Sequence, residues 1–253
     1  MRNIRQQKLL SLLSIDLEVK ISTLLEQLDI SEATLRRDLS ELAENGKIVR
    51  THGGALLRPE AINEASFLDK ELSAPEQKRE IASYAANIIP TGASVYIDSG
   101  TTCLEVARIL LRRGDCPIFT NSLPILIDAC KYNARVTGIG GTLREVSRAL
   151  IGSAALSWLE NLNVDYSLIG ASALNVSRGA YTTETLEASV KQHAIQSSNQ
   201  SILVCDHSKW ISSAPVRFAR WSDFDRLITD KAPESTTQKH LQQQLQVNVV
   251  GVK

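Results

Sequence analysis

Hydrophobic residues recur at helical spacing in the segment that follows Ser31. Leu35, Leu39, Leu42 and Ala43 stand at positions i, i+4, i+7 and i+8, so they form one apolar stripe along a helix. Ser31 is suited to cap the start of this helix, because its hydroxyl can accept a hydrogen bond from a free backbone N–H group. The pattern therefore predicts a capped amphipathic helix that packs one face against a core.

Shorter elements precede this helix. Residues 3–13 have a helical pattern, and residues 19–21 alternate like a short strand. Ser22 can cap a further helix over residues 23–28, which leaves only a tight turn before the helix that begins after Ser31. Two short helices joined by a tight turn are typical of a helix-turn-helix.

A basic hairpin is predicted after the second helix. Residues 47–50 form a short strand, and Gly53-Gly54 forms a tight turn. The whole region over residues 1–57 is therefore interpreted as a winged helix-turn-helix. Arg36 and Arg37 lie off the apolar stripe, so they are candidates to contact DNA, although an arginine pair on a helix is otherwise an ordinary solvated face.

From residue 76 onward, predicted strands and helices alternate. Strands are expected at 93–97, 117–120, 135–139, 166–169, 201–205, 226–228 and 247–250, and helices at 76–89, 101–111, 123–131, 152–160, 183–197 and 236–244. Such alternation indicates an α/β fold with a mostly parallel sheet covered by helices on both faces. Residues 58–75 lose the periodicity and are interpreted as a linker, so the second domain is expected to span residues 76–253.

Small and polar residues follow the strands of this second domain. They are Asp98-Ser99-Gly100-Thr101-Thr102, Asn121-Ser122, Gly140-Gly141-Thr142, Gly170-Ala171-Ser172 and Asp206-His207-Ser208-Lys209. Ligands of open α/β sheets bind outside the carboxyl ends of the strands, so the recurrence predicts a ligand cleft. Short loops of this kind are also common for backbone reasons alone.

The loop Asp98–Thr102 is the most informative of these. Gly100 permits a close approach of the backbone, and the following helix N-terminus favours an anion such as phosphate. Asp98 is expected to bind backbone N–H groups or a sugar hydroxyl, or else merely to cap the helix. Lys191 and Lys209 are candidate cations for the anion, with Arg144 and Arg148 weaker candidates, and the alternative for each lysine is an ordinary surface residue.

The net charge of the chain is zero, so DNA binding must depend on a local patch and gains from a homodimer or homotetramer. The four cysteines form no Cys-x-x-Cys pair, and the histidines do not stand near them at the spacing of metal ligands, so neither a metal nor a cofactor is expected. Isolated cysteines, the lack of a signal peptide and the lack of a long apolar run predict a cytoplasmic protein.

Both halves of the chain resemble the DeoR family of bacterial transcription regulators. The N-terminal motif comprises Ser31, Thr34, Arg36, Arg37, Asp38, Leu39, Gly46, Arg50, His52, Gly53, Gly54 and Ala55. The C-terminal motifs comprise Asp98, Gly100, Thr101, Thr102, Thr120, Asn121, Ser122, Gly140, Gly141, Val190, Lys191, Asp206, Ser208, Lys209, Ile228, Thr229 and Asp230. The chain departs from the family at Trp210-Ile211, where Phe-Gly is usual, and at Glu76-Gln77-Lys78, where the family has an adjacent Glu-Lys pair.

The resemblance implies a regulator, usually a repressor, of a sugar or polyol operon, with an effector domain folded like the sugar-phosphate isomerases. It implies DNA contacts by Ser31, Thr34, Arg36, Arg37, Lys47, Arg50 and His52. It also implies that a phosphorylated effector contacts Asp98, Ser99, Gly100, Thr101, Thr102, Thr120, Asn121, Ser122, Gly140, Gly141, Lys191, Asp206 and Lys209. We expect a protein that is not an enzyme. The alternative is an isomerase-like enzyme with an appended DNA-binding module, for which Glu184, Glu187 and Asp206 are available as bases.

Overall fold

The computed structural model describes residues 5–6, 9, 12, 19–28, 30–44, 48–51, 54–57, 64–231 and 235–251. The chain divides into two compact units, Met1–Glu64 and Ala65–Lys253. The second unit therefore includes the end of the segment over residues 58–75 that was interpreted as a linker. Lys47 and His52, predicted to contact DNA, lie outside the described residues.

The N-terminal unit combines helices with a small antiparallel sheet. Its described elements are β1 (Val19–Lys20), α1 (Ile21–Leu28), α2 (Glu32–Glu44), β2 (Ile48–Arg50) and β3 (Gly54–Leu57), and residues 5, 6, 9 and 12 are also helical. The strands lie in the order β1-β3-β2. A Cβ atom on Gly54 would lie 2.2 Å from the carbonyl oxygen of Val19, so only glycine permits this pairing of β1 with β3.

The predicted apolar stripe of α2 packs into the core of this unit. Leu35, Leu39 and Leu42 are buried there together with Leu24 of α1 and Ile48 of β2. The expected cap at Ser22 is wrong, because α1 already begins at Ile21 and Ser22 therefore lies inside the helix.

The C-terminal unit is an α/β structure. Its helices are α3 (Phe67–Leu72), α4 (Pro75–Asn87), α5 (Thr101–Arg113), α6 (Leu123–Ala129), α7 (Ser153–Glu160), α8 (Thr185–Gln196) and α9 (Ser235–Gln242). Its strands are β4 (Val95–Ile97), β5 (Ile118–Thr120), β6 (Val136–Gly138), β7 (Thr142–Arg144), β8 (Ala149–Ile151), β9 (Val164–Ile169), β10 (Ala173–Asn175), β11 (Gly179–Thr182), β12 (Ser198–Val204), β13 (Val216–Ala219), β14 (Arg226–Thr229) and β15 (Gln246–Val249).

Seven of these strands form a parallel sheet in the order β15-β14-β12-β9-β4-β5-β6. Side chains alternate between two apolar clusters, one on each face. Val95 and Ile97 of β4 enter one cluster, whereas Tyr96 between them enters the other. A parallel sheet that is buried on both faces needs helices on both sides, which confirms the predicted fold class.

The sheet reverses its strand order next to β4. The chain proceeds from β4 to β5 and β6 on one side, and then crosses to β9, β12, β14 and β15 on the other. Such a switch point opens a crevice between the loops that follow the two central strands. The loops after β4 and β9 therefore flank the position where a ligand is expected.

Two small antiparallel elements were not predicted from the sequence. The strands β7 and β8 form a hairpin, and β10, β11 and β13 form a three-stranded sheet. Each of these strands is three or four residues long, too short to show a hydrophobic alternation. None of the helices that the structure describes is both long and apolar enough to cross a membrane.

Candidate functional site

Helix α2 begins at the predicted cap. The Ser31 carbonyl accepts hydrogen bonds from the N–H groups of Thr34 and Leu35, both at 3.0 Å. The Ser31 hydroxyl lies 2.8 Å from the Thr34 hydroxyl and 3.4 Å from the Thr34 backbone nitrogen. These contacts fix the start of the helix that carries Arg36 and Arg37.

The two candidate arginines of α2 have different surroundings. Arg36 donates from Nε and Nη2 to Glu32 Oε1, at 2.8 and 2.6 Å, and both side chains are 55% exposed. Arg37 is also exposed, and it has no ion-pair partner among the residues that the structure describes. Arg37 is therefore the more available of the two for a DNA base or phosphate.

Asp38, the third charged residue of this motif, is buried. Its carboxylate accepts from Arg5 Nε at 2.5 Å and from Arg5 Nη2 at 3.0 Å, and it is 1% exposed. Gln6 forms a similar contact with Glu41 at 2.8 Å. Asp38 thus ties the first helical segment to α2, and its charge does not offset the basic surface.

We expect Arg37→Ala to weaken operator binding by about 1–3 kcal/mol and to relax sequence preference. Arg36→Ala should weaken it less, because Arg36 must give up its pair with Glu32 before it can contact DNA. Anisotropy titrations with an operator selected from random duplexes, and with a scrambled duplex, measure both effects. The exposed Arg178 of the other unit provides the control Arg178→Ala. Unchanged operator affinity in both α2 variants would contradict the assignment of α2 to DNA recognition.

In the C-terminal unit, the loops after β4 and β9 meet at the sheet edge. The Gly170 N–H donates to Asp98 Oδ2 at 3.0 Å, and a Cβ atom on Gly100 would lie 3.7 Å from Gly170 Cα. Asp98 does not cap α5, since the N-cap is Gly100, which has no side-chain bond. Of the three roles considered for Asp98, the structure therefore shows the contact to a backbone N–H group.

Lys191 of α8 pairs with Asp98. Its Nζ donates to Asp98 Oδ2 and, at 3.0 Å, to the Gly170 carbonyl, and the side chain is 8% exposed. Burial would lower the pKa of Lys191, but the charges of Asp98 and Glu187 outweigh it and raise that pKa. Lys191 is thus a buried, protonated partner of Asp98 and not an ordinary surface lysine.

Glu187 extends this pair into a row of alternating charges. Its Oε1 lies 3.1 Å from Arg144 Nη1, and its Oε2 accepts from the Thr182 hydroxyl at 3.1 Å. From the sequence, Glu187 was a candidate only as a base for an isomerase, and Arg144 only as a weaker anion ligand. The row Asp98, Lys191, Glu187, Arg144 is neutral as a whole.

A second charged cluster follows β12. The Asp206 carboxylate is 1% exposed, and its Oδ1 accepts from the N–H of Ser208 at 3.0 Å and from the Ser208 hydroxyl. The charge of Lys209, followed by these Ser208 bonds and the charge of Lys78, outweighs burial, and the pKa of Asp206 is lowered. Asp230 holds the same turn, accepting from the backbone N–H of His207 at 2.7 Å and from its Nδ1 at 2.5 Å.

Lys78 belongs to this second cluster and was not among the predicted site residues. Its side chain is buried, and Nζ donates to the carbonyl oxygens of Ser73, at 2.6 Å, and Lys70. Burial is the main reason that the pKa of Lys78 falls to about 8, and the charge of Asp206 opposes this fall. The only signal in the sequence was the split Glu76-Gln77-Lys78 motif.

Several buried polar atoms at this edge of the sheet have no hydrogen-bond partner among the described residues. They include Asp98 Oδ1, Asp206 Oδ2, the Thr183 hydroxyl and Trp210 Nε1. Buried polar groups are almost always paired, so each unpaired group needs an explanation. A polar ligand bound at this edge of the sheet would supply the hydrogen-bond partners that these atoms lack.

The other predicted effector residues have mixed surroundings. The polar groups of Thr120, Asn121 and Ser122 are engaged within the fold: they bond to the Ile97 carbonyl, to Tyr96 and Leu150, and to the Ile125 N–H, respectively. A Cβ atom on Gly141 would lie 2.4 Å from the Ile151 carbonyl, whereas Gly140 faces open space. Ser99, Thr101 and Thr102 lie nearly buried where α5 begins. Effector contacts by all of these residues remain predictions.

The described ranges contain no cluster of side chains that could hold a metal ion. Three of the four cysteines, Cys103, Cys116 and Cys205, are buried thiols, whereas Cys130 is exposed. Burial, followed by the charge of Asp206, raises the pKa of Cys205 to about 12, so this thiol is protonated at neutral pH.

Comparison with known proteins places both units in one family. The DeoR-like helix-turn-helix domain matches residues 5–60, and the DeoR C terminal sensor domain matches residues 73–231. The HTH-type transcriptional regulator GlpR of Haloferax volcanii is 34% identical over 94% of this chain and 93% of its own. The Glycerol-3-phosphate regulon repressor of Escherichia coli is 33% identical over 90% of this chain and 92% of its own.

A ribose 5-phosphate isomerase A structure from Methanocaldococcus jannaschii aligns with 55% of this chain and 55% of its own, with a TM-score of 0.41 and 15% sequence identity. The family matches cover most of both units, and they agree with the helix-turn-helix motif and the sheet-edge motifs described above. The chain therefore belongs to the DeoR family of transcriptional regulators, and it is a DNA-binding regulator of transcription.

Proposed function

We propose that this regulator represses an operon of sugar or polyol metabolism and releases its operator when a phosphorylated sugar or polyol binds the cleft. The observation that supports this most is the pair of buried carboxylates, Asp98 and Asp206, each with one oxygen that has no partner among the described residues at the same sheet edge. Unpaired carboxylate oxygens accept hydrogen bonds from hydroxyl groups, and the neighbouring lysines suit an anion. Relatives named as repressors support the direction of regulation.

The charges also suggest how the effector is oriented. Lys191 is neutralised by Asp98, whereas Asp206 has two lysines, Lys78 and Lys209, within electrostatic reach. Two lysines therefore face the Asp206 carboxylate, while the other carboxylate of this turn, Asp230, is engaged by His207. We assign the phosphate to the second cluster and to the N-terminus of α5, and a hydroxyl group to Asp98 Oδ1.

The protein is proposed not to be an enzyme. An isomerase needs a carboxylate base that can reach a carbon-bound proton of the substrate. Glu187 is paired with Arg144 and Thr182, Glu184 accepts from the N–H of Glu187 and the hydroxyl of Thr185, and Asp206 accepts from Ser208. Each of the three candidate bases is therefore engaged by groups of the fold in the free protein. Incubation with pentose and hexose phosphates should give no aldose–ketose interconversion, and a measurable turnover would favour the isomerase alternative.

The regulator is further proposed to act as a homodimer or homotetramer in the cytoplasm. One helix-turn-helix reads only a short site, so specific regulators of this type usually pair on a two-fold site. Light scattering at micromolar concentration should show a dimer or larger species. A monomer with intact operator binding would contradict this part of the proposal.

Thermal-shift measurements test the effector class. Glycerol 3-phosphate, ribose 5-phosphate and fructose 6-phosphate should be compared with glycerol, ribose and fructose. A compound at about 100 times its dissociation constant adds about 2.7 kcal/mol of stability. Lys209→Gln should abolish the shift, whereas Lys131→Gln, which alters a lysine that is 64% exposed, should not. Equal shifts for phosphorylated and unphosphorylated compounds would contradict the proposal.

Effector binding should weaken as the pH rises through about 8. Bound phosphate favours protonated Lys78, and the pKa of Lys78 in the free protein is about 8. The second ionisation of a phosphate ester lies near pH 6, so the ligand charge is constant above pH 7. Between pH 7 and 9 the dissociation constant should rise about tenfold, and Lys78→Met should remove this rise. Calorimetric titrations at several pH values measure it, and a flat profile for the parent protein would place Lys78 away from the phosphate.

A further inference from the structure

The hairpin of β7 and β8 connects the cleft to the beginning of the C-terminal unit. It starts directly after Gly141, at the sheet edge that carries the predicted cleft. Arg144 on β7 forms the ion pair with Glu187, at 3.1 Å, and is 19% exposed. The strand β8 also contacts the loop that follows β5, because the Leu150 N–H donates to the Asn121 carbonyl at 2.7 Å.

The turn of the same hairpin holds the first residue of α3. The Phe67 N–H donates to the Val146 carbonyl at 2.8 Å, and the Arg148 guanidinium lies 5.4 Å from the centroid of the Phe67 ring. Phe67 is 3% exposed, so this contact is part of the core. Phe67 also stands close in sequence to Ala65, where the C-terminal unit begins and the chain from the DNA-binding unit arrives.

Arg148 is held in a strained conformation by contacts on both sides. Its φ is +53°, in the left-handed region that non-glycine residues rarely adopt. Its carbonyl accepts from the Leu123 N–H at 3.0 Å, at the start of α6, while its guanidinium covers Phe67. Such strain persists only where the surrounding structure imposes it. A movement of the start of α6 or of Phe67 therefore favours a different backbone conformation of the turn.

We propose that this hairpin transmits the state of the cleft to α3, with Arg144 and Arg148 as the positioning residues at its two ends. The inference rests on the proposed function for its biological meaning. A ligand that displaces Glu187 or Lys191 alters the anchor of Arg144. The displacement shifts β7 relative to β8, and it weakens the contacts that Val146 and Arg148 of the turn make with Phe67.

Hydrogen exchange measured by mass spectrometry tests the connection without any ligand. Arg144→Gln should accelerate exchange in residues 66–72 about threefold or more, because it removes the ion pair with Glu187 that anchors β7. Arg113→Gln is the matched control, because it breaks another partly buried arginine–carboxylate pair, with Asp115 at 3.0 Å. Equal exchange of residues 66–72 in parent and Arg144→Gln, or equal acceleration in both variants, overturns the proposal.

The effect should be reciprocal, which provides a second test should Arg144→Gln fold poorly. Phe67→Leu removes the ring beneath Arg148, and it should accelerate exchange in residues 142–151 while leaving residues 226–229 unchanged. Unchanged hydrogen exchange of residues 142–151 in Phe67→Leu would contradict the proposed connection between Phe67 and the hairpin.

A regulatory assay separates the two proposals. Phe67→Leu removes the contact with Arg148 and leaves the candidate cations of the hairpin in place. It should bind the phosphorylated compound of the thermal-shift series as tightly as the parent, yet release the operator at least fivefold less. If none of these compounds releases the parent from DNA, the proposed function fails, while the exchange comparison still decides the role of the hairpin.

Discussion

Lys191→Met should destabilise the C-terminal unit by about 3–5 kcal/mol, because it leaves Asp98 as a buried charge without its cation. Asp98 is 1% exposed, and its Oδ2 accepts only from Lys191 and the Gly170 N–H among the described residues. Removing one member of a buried ion pair costs more than the pair contributes, since the remaining charge keeps its desolvation penalty. Methionine has nearly the length of lysine, so the substitution removes the charge with little change in packing.

Urea unfolding followed by tryptophan fluorescence measures this effect. All three tryptophans, Trp158, Trp210 and Trp221, lie in the C-terminal unit, so their signal reports that unit alone. The double variant Asp98→Asn/Lys191→Met should recover most of the loss, because it removes both charges. Lys131→Met is the surface control and should change stability by less than about 0.5 kcal/mol. A loss below about 1 kcal/mol in Lys191→Met would contradict the assigned buried pair.

The elements of the large sheet could be predicted because their sequences are locally unambiguous. The strands that are buried on both faces are short apolar runs, and the helices between them carry the 3.6-residue period. The predicted helix over residues 101–111 is Thr101–Arg113 in the structure, and the predicted strand over 226–228 is Arg226–Thr229. The hairpin of β7 and β8 was not predictable, because its strands carry no such pattern and depend on contacts with Asn121 and Ser122.

The residues of the site were predicted one by one, but the contacts between them were not predicted. Asp98 and Lys191 were both named from their motifs, but their contact depends on where α8 docks against the sheet, which no local pattern specifies. Lys78 was missed for a related reason, since its burial follows from the packing of α3 and α4. In the N-terminal unit, Asp38 was named from its motif, but its burial against Arg5 depends on how the first helical segment packs against α2.

Lys209→Gln should retain operator binding and lose the response to the phosphorylated effector. The effector can release the operator only through a difference in its affinity for the two states of the regulator, and such coupling typically amounts to about 1–3 kcal/mol, or 5–150-fold. Lys209 provides positive charge beside Asp206 in the C-terminal unit, so its loss leaves the DNA-binding unit intact. In a repressor, the result is permanent repression.

Gel shifts on parent and variant proteins, with and without the effector, measure this uncoupling. Gly100→Val is the independent variant. Its backbone φ is −66°, and a Cβ atom there meets Cys103 Sγ and Gly170 Cα at 3.7 Å, so the larger side chain fits the backbone and fills the space in front of α5. Gly100→Ala adds only the Cβ atom and should respond more nearly like the parent. Release of the operator from Gly100→Val at the parental effector concentration would place the phosphate elsewhere than at the loop Asp98–Thr102, because a filled loop cannot also hold the phosphate.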